Sequence, residues 1–139
     1  MKMKIMLEPT AFMPVRAHET DAGLDLRSRW YTLIPAHGSA EFDTGVHIEL
    51  PHGWYGKIES KSGLNVKYDV VSCGGVIDEP YRGSIVVKLY NFGDEDYVVN
   101  AGDKIAQLVL MQYLAPELEV VDELSETDRG NNGFGSSGV

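Results

Sequence analysis

The sequence predicts an all-β protein, an antiparallel sandwich, jelly roll or barrel, followed by a flexible tail. Two observations carry the fold class: short runs in which apolar and polar residues alternate, and turn chemistry between those runs. A third, the ending RGNNGFGSSG, sets off the tail, because glycine, asparagine and serine cannot bury enough apolar surface to fold alone. With 139 residues, 43% of them hydrophobic, the chain holds material for one core.

Taken in order, MKMKIMLEPTAF has neither a long apolar run nor a small-residue cleavage site. It reads as neither a secretory leader nor a membrane span, and a cytoplasmic setting is expected. SAEFDTGVHIELP and WYGKIES are rich in β-formers and meet at PHG, a turn. SGLNVKYD is the one place where a single helical turn fits, with Ser62 as its N-cap. GSIVVKLYNF, YVV and DKIAQLVLMQYL complete the strands, divided by the turn segments NFGDED and NAGD. PELEVVDELSETD then carries six acidic residues and reads as a solvated connector. The expected division is a domain over residues 1–124 and a tail over 125–139.

Twelve basic against twenty-one acidic residues leave a net charge of -9, which opposes binding to a nucleic-acid polymer or an anionic membrane. A small anion held by a few local cations and N–H groups is compatible with that charge. Cys73 is the single cysteine, so the chain has no internal disulfide or cysteine zinc cluster, and it reads as a small buried hydrophobe. His18, His37, His47 and His52 lack the i, i+4 spacing of a helical zinc site.

Five turn regions combine glycine with a reactive or charged side chain: TDAGLDLRS, ESKSGLN, GGVIDEPYRGSI, AGDKIAQL and the tail. In the third, Gly74 and Gly75 permit close approach of a ligand, Val76 and Ile77 suit core or pocket wall, and Asp78 precedes a turn at Pro80. Asp78 fits a general base at a hairpin mouth and equally a turn cap, and Tyr81 fits a packing residue. Lys61, Ser62 and Gly63 stand where free N–H groups favour phosphate oxygens, or where a lysine is merely solvated. Asp103 and Lys104 read as ordinary hairpin charges. Gln107 interrupts the apolar run IAQLVL, where an amide needs a partner.

Together and in this order, AGLDLRS, KSGL, GVIDEPYRG, GDKIAQL and RGNNGFGSSG closely resemble the five motifs of the homotrimeric dUTPase family. The resemblance runs from about residue 20 to the end of the chain. It implies a jelly-roll homotrimer that hydrolyses dUTP to dUMP and pyrophosphate with Mg2+, each active site drawing motifs from all three chains. Asp78 would then activate the water that attacks the α-phosphorus, and Tyr81 would lie under the deoxyribose and exclude a 2′-hydroxyl. The backbone from Ser72 through Gly75, Val76 and Ile77 would read the uracil. Lys61, Ser62, Gly63 and Gln107 would contact phosphate, and Asp25 would act on the metal through bound water.

The same resemblance makes the tail a cover for the ligand on a neighbouring subunit. Arg129 would reach the γ-phosphate, Phe134 would stack on uracil, and Gly135, Ser136 and Ser137 would complete the contact. Two residues depart from the family pattern. Lys61 replaces the usual arginine, turning a two-pronged contact into a point charge. Asn132 occupies a position that is often glycine. A dCTP deaminase is the nearest alternative, but Lys88 stands where that family has a glutamate base. A nucleotide-responsive module with a protein partner is the alternative of another class.

Overall fold

The computed structural model describes residues 1–138; Val139, the last residue of the expected tail, lies outside them. In chain order the elements are β1 (Lys4–Leu7), β2 (Gly23–Arg27), β3 (Thr32–Ile34), β4 (Ser39–Asp43), β5 (Val46–Glu49), β6 (Trp54–Glu59), α1 (Ser62–Tyr68), β7 (Val70–Ser72), β8 (Val76–Ile77), β9 (Val86–Asn91), β10 (Tyr97–Val99) and β11 (Lys104–Gln112). Every strand pair is antiparallel. A four-stranded sheet, β2-β11-β6-β8, and a three-stranded sheet, β4-β9-β7, share one core, with the pairs β1-β5 and β10-β3 beside them. This is the expected jelly-roll-like sandwich.

Alternation does the work in β9, where Val87 and Leu89 are buried while Val86 and Lys88 face outward. The inward row ends on Asn91, whose Nδ2 donates to the carbonyls of Ile34 and Glu95 and whose Oδ1 accepts from Gly93 N–H. Those bonds are what make a buried amide tolerable. From the opposite sheet, Leu26, Ile58 and Leu108 meet Phe42, Val87 and Leu89 in the same core. Each such side chain contributes about 1.5–3 kcal/mol by leaving water. In β11 the pairing shifts register between Lys104 and Ala106, so that Ile105 and Ala106 are both buried and Gln107 comes opposite Asp25. No described helix is long and apolar enough to cross a membrane.

The fold departs from the sequence expectation in four places. Strands β1, β2, β3, β7 and β8 run for two to five residues, too few for alternation to declare itself, and GLDLR, expected in a turn region, is strand β2. SAEFDTGVHIELP breaks into β4 and β5 at buried Thr44, whose hydroxyl donates to Ile85 O at 2.7 Å. Gly45 follows with φ 64°, and a Cβ there would lie 2.8 Å from Arg29 Nη1. The helix has seven residues rather than one turn, and its N-cap is Lys61, not Ser62. Lys61 O accepts the first helical bond, from Asn65 N–H at 3.0 Å. Asp69 closes the helix at φ 56°, donating its N–H to Asn65 O. Finally, Cys73 is exposed, because it lies in the link where the chain leaves β7 before entering β8.

Candidate active site

The third motif forms a walled depression at the end of β8. Ile77 pairs with Gly56 on β6 and turns inward, so Val76 points out and is exposed. Asp78 comes next with its side chain exposed, and the turn is closed by its main-chain carbonyl, which accepts from Tyr81 N–H at 3.0 Å. The carboxylate is left facing outward beside Val76, Tyr81, Ser84 and Val86, around a space of about 250 Å³. Tyr81 Oη donates to Ser84 O at 3.0 Å, and a Cβ on Gly83 would fall 2.3 Å from Tyr81 Oη. The ring therefore needs glycine beneath it.

Three tethers hold this turn, and none was apparent in the sequence. Glu79 accepts from Tyr113 Oη at 2.6 Å and from Gly53 N–H at 2.9 Å, and lies 2.9 Å from His52 Nδ1. The Tyr113 hydroxyl, then His52 and the Gly53 N–H, hold its carboxyl at about 2. Ser84 Oγ donates to Asp43, which that bond and Gly45 N–H keep below the ordinary aspartate range. His47 Nδ1 stands 2.8 Å from Arg82 O. These partners come from β4, β5, the turn before β6 and the residue after β11, far from the third motif in sequence.

A second cluster sits on β2, β11, the end of β7 and the link between β6 and α1. Asp25 is buried, its N–H bonded to Val15 O at 2.8 Å. Lys61 Nζ pairs with one carboxylate oxygen, and Lys104 Nζ lies 2.8 Å from the other as an ion pair without hydrogen-bond alignment. Burial pushes the Asp25 carboxyl up, but Lys104 and Lys61 together outweigh it and hold it low. Lys104 is thus no ordinary hairpin charge. Gln107 finds the partner its position demands, Ser60 O at 3.0 Å, and packs so closely on Gly23 that a Cβ there would sit 2.1 Å from its Oε1. Ser60 Oγ accepts from Ser72 N–H and donates to Ser72 O, while the Ser72 hydroxyl is buried without a partner among the described residues. Ser62 and Gly63 open α1 beside this cluster.

Asp25, Lys61, Gln107 and Ser72 are therefore brought together, and Asp78 and Tyr81 form a separate group. Glu59 pairs with Gln107 and Gly56 with Ile77, so the groups are centred three β6 residues apart, about 10 Å at strand rise. Among the described residues, the tail joins neither group. Arg129 Nε donates to Asn132 O at 2.8 Å, Gly138 N–H to Gly135 O at 3.0 Å, and Phe134 is fully exposed. Ser136 and Ser137 are exposed as well. Lys88 stands on the outer face of β9, 3.8 Å from Glu41.

Known proteins match this chain over almost its whole length. The sequence profile described as dUTPase matches residues 10–138. The deoxyuridine 5′-triphosphate nucleotidohydrolase of Paramecium bursaria Chlorella virus 1 is 44% identical over 133 residues, covering 96% of this chain and 94% of the relative. A Staphylococcus bacteriophage 80alpha dUTPase solved with dUPNHPP superposes with a TM-score of 0.93 at 31% identity, covering 99% of both chains. The dUTPase of Staphylococcus aureus phage phi11, described with a structural Mg(II) ion, gives a TM-score of 0.82 at 30% identity over 88% of this chain and 97% of that one. Sequence motifs, sandwich and relatives agree, and the chain belongs to the dUTPase family.

Proposed function

We propose that this protein hydrolyses dUTP to dUMP and pyrophosphate. The observation that carries the reading is the outward carboxylate of Asp78 beside Tyr81, at a depression held in shape by Glu79, Asp43 and His47. Asp78 accepts the proton of a water as that water attacks the α-phosphorus. The bond from phosphorus to the α,β-bridging oxygen breaks, and pyrophosphate leaves. Tyr81 packs against the sugar and leaves no room for a 2′-hydroxyl. The backbone of Gly75, Val76 and Ile77 reads the uracil edge, and the orphaned Ser72 hydroxyl supports a polar contact nearby.

Lys61, Ser62, Gly63 and Gln107 bind the triphosphate. Both Asp25 oxygens already face ammonium groups, and the described residues hold no cluster of three or more metal-ligating side chains. That donor set fits Mg2+ carried by phosphate and water, and Asp25 would act on it through a coordinated water, since Mg2+ keeps several of its waters. Bound in this way, Mg2+ would supply neutralisation of phosphate charge.

We further propose a homotrimer. The separation of about 10 Å between the two groups on one chain supports a site in which Asp78 and Tyr81 of one subunit face the phosphate cluster of another. The exposed tail supports closure over a neighbour, with Arg129 on the γ-phosphate, Phe134 on the uracil, and Gly135, Ser136 and Ser137 along the phosphates. Its ordering cost falls only when nucleotide is present. The test is pyrophosphate release from dUTP, dTTP, dCTP and UTP, with and without Mg2+. The expected result is turnover of dUTP alone with Mg2+; equal turnover of all four overturns the reading.

A further inference from the structure

One of the tethers of the Tyr81 turn, His47, touches no substrate atom in that scheme. His47 lies on β5 with its side chain 17% exposed. Its Nδ1 is 2.8 Å from Arg82 O, and its Nε2 is 2.9 Å from Glu8 Oε1. A carbonyl and a carboxylate are both acceptors, and a neutral imidazole carries only one N–H. Only the imidazolium satisfies both contacts; the neutral ring turns a lone pair on one of them.

The ring also holds the residue next to Tyr81. Arg82, the residue after Tyr81, is held by His47 through its carbonyl, and Ser84 is held by Asp43 through its hydroxyl. Tyr81 Oη in turn rests on Ser84 O. Both tethers run back to the amino-terminal region, because Glu8 accepts from Arg29 Nη1 at 3.0 Å and Arg29 lies 3.9 Å from Asp43. The charged groups around the ring are Glu8, Asp43 and Arg29 on one side, and Arg82 with the Lys4–Glu49 pair along the β1-β5 groove on the other.

We propose that His47, as an imidazolium clamped between Glu8 and the Arg82 carbonyl, is a positioning residue for Tyr81, making the preference for deoxyribose over ribose depend on one proton. The proposal rests on the reading of Tyr81 as the sugar wall. The contact to Arg82 O, then Glu8, raises the His47 pKa above 6.5. The clamp is therefore complete below 6.5 and is lost as pH rises through the raised value. Asp78 has its own place in the turn, so the loss falls on KM and on sugar choice rather than on kcat.

The experiment measures kcat and KM for dUTP and UTP between about pH 6 and pH 9, the range in which histidine titrates. It uses the wild type, His47→Gln, Glu8→Gln and Tyr81→Ala, with the His47 ring followed by NMR. In the wild type the dUTP/UTP ratio of kcat/KM should fall about three- to tenfold as pH rises, as for one lost hydrogen bond, while KM for dUTP rises. His47→Gln should show the high-pH values throughout, and Glu8→Gln should move the NMR midpoint and the KM step to lower pH. A ring midpoint at or below 6.5, or a wild-type KM and ratio independent of pH, overturns the proposal. An unchanged ratio in Tyr81→Ala removes the sugar-wall reading instead, and the ring midpoint with the KM step still decides whether His47 is clamped.

Discussion

Asp25 and Lys104 meet across the β2-β11 pair with Nζ 2.8 Å from Oδ2, and Lys61 takes the other oxygen of the same carboxylate. The aspartate side chain is 4% exposed, while the lysines reach solvent at 37% and 27%. A carboxylate this deep is tolerable because two cations face it. Asp25→Asn should destabilise the fold by about 2 kcal/mol, less than for a fully enclosed pair because the stranded ammonium groups can rehydrate. Urea unfolding of the variant measures this. Wild-type stability would mean that the carboxylate serves only the ligand.

Glu79 joins the Asp78 turn to Tyr113 and to the Gly53 turn, and its pKa of about 2 lies below its ordinary 4.5. A lowered acid contributes stability that is present above 4.5 and is lost as pH falls toward 2. Glu79→Gln should therefore be less stable than wild type near neutrality, with the difference narrowing in acid below 4.5. Unfolding curves at a series of pH values provide the check. A difference that stays constant into strong acid would detach Glu79 from the turn's stability.

Tyr81→Ala should lower the dUTP/UTP ratio of kcat/KM on the order of 10- to 100-fold, mainly by admitting UTP. Gly83→Ala should act in the same direction without touching the tyrosine, since the new methyl would claim the space of Tyr81 Oη. Steady-state kinetics on both nucleotides test the pair. If Gly83→Ala leaves the ratio intact, the ring's place is not set by that contact.

Asp78→Asn should lower kcat by about two to four orders of magnitude while the variant still folds and binds dUTP. A chain stopped after Asp128 should lose activity for a different reason, the absence of Arg129 and Phe134. Co-refolded as mixed trimers, the two should regain activity, because about a quarter of randomly assembled sites take a sound Asp78 from one chain and a sound tail from another. Mixed trimers confirmed by native mass spectrometry that stay inactive would place each tail over its own Asp78.

Strands with several alternations, such as β6, β9 and β11, were legible directly, because period-two burial writes itself into six or more residues. So was the isolation of Gln107, an amide in an apolar run whose need for a partner holds whatever the fold. The five motifs with their order, and hence the family, could also be read along the chain. Strands β1, β2, β3, β7 and β8 could not, since their pairing is imposed by neighbours distant in sequence. Cys73 shows the same limit, because burial depends on where the chain leaves a sheet, and no residue type encodes that.

Only the tertiary structure put Lys104 against Asp25, Glu79 against Tyr113 and His47 against Arg82, pairs separated by 79, 34 and 35 positions. Composition supplied those charges without saying which would meet. A charged side chain in sequence is by default a solvated one. It gains a partner, a shifted pKa and a part in shaping the site when strand pairing brings an opposite charge or a carbonyl within about 3 Å and displaces the water between them.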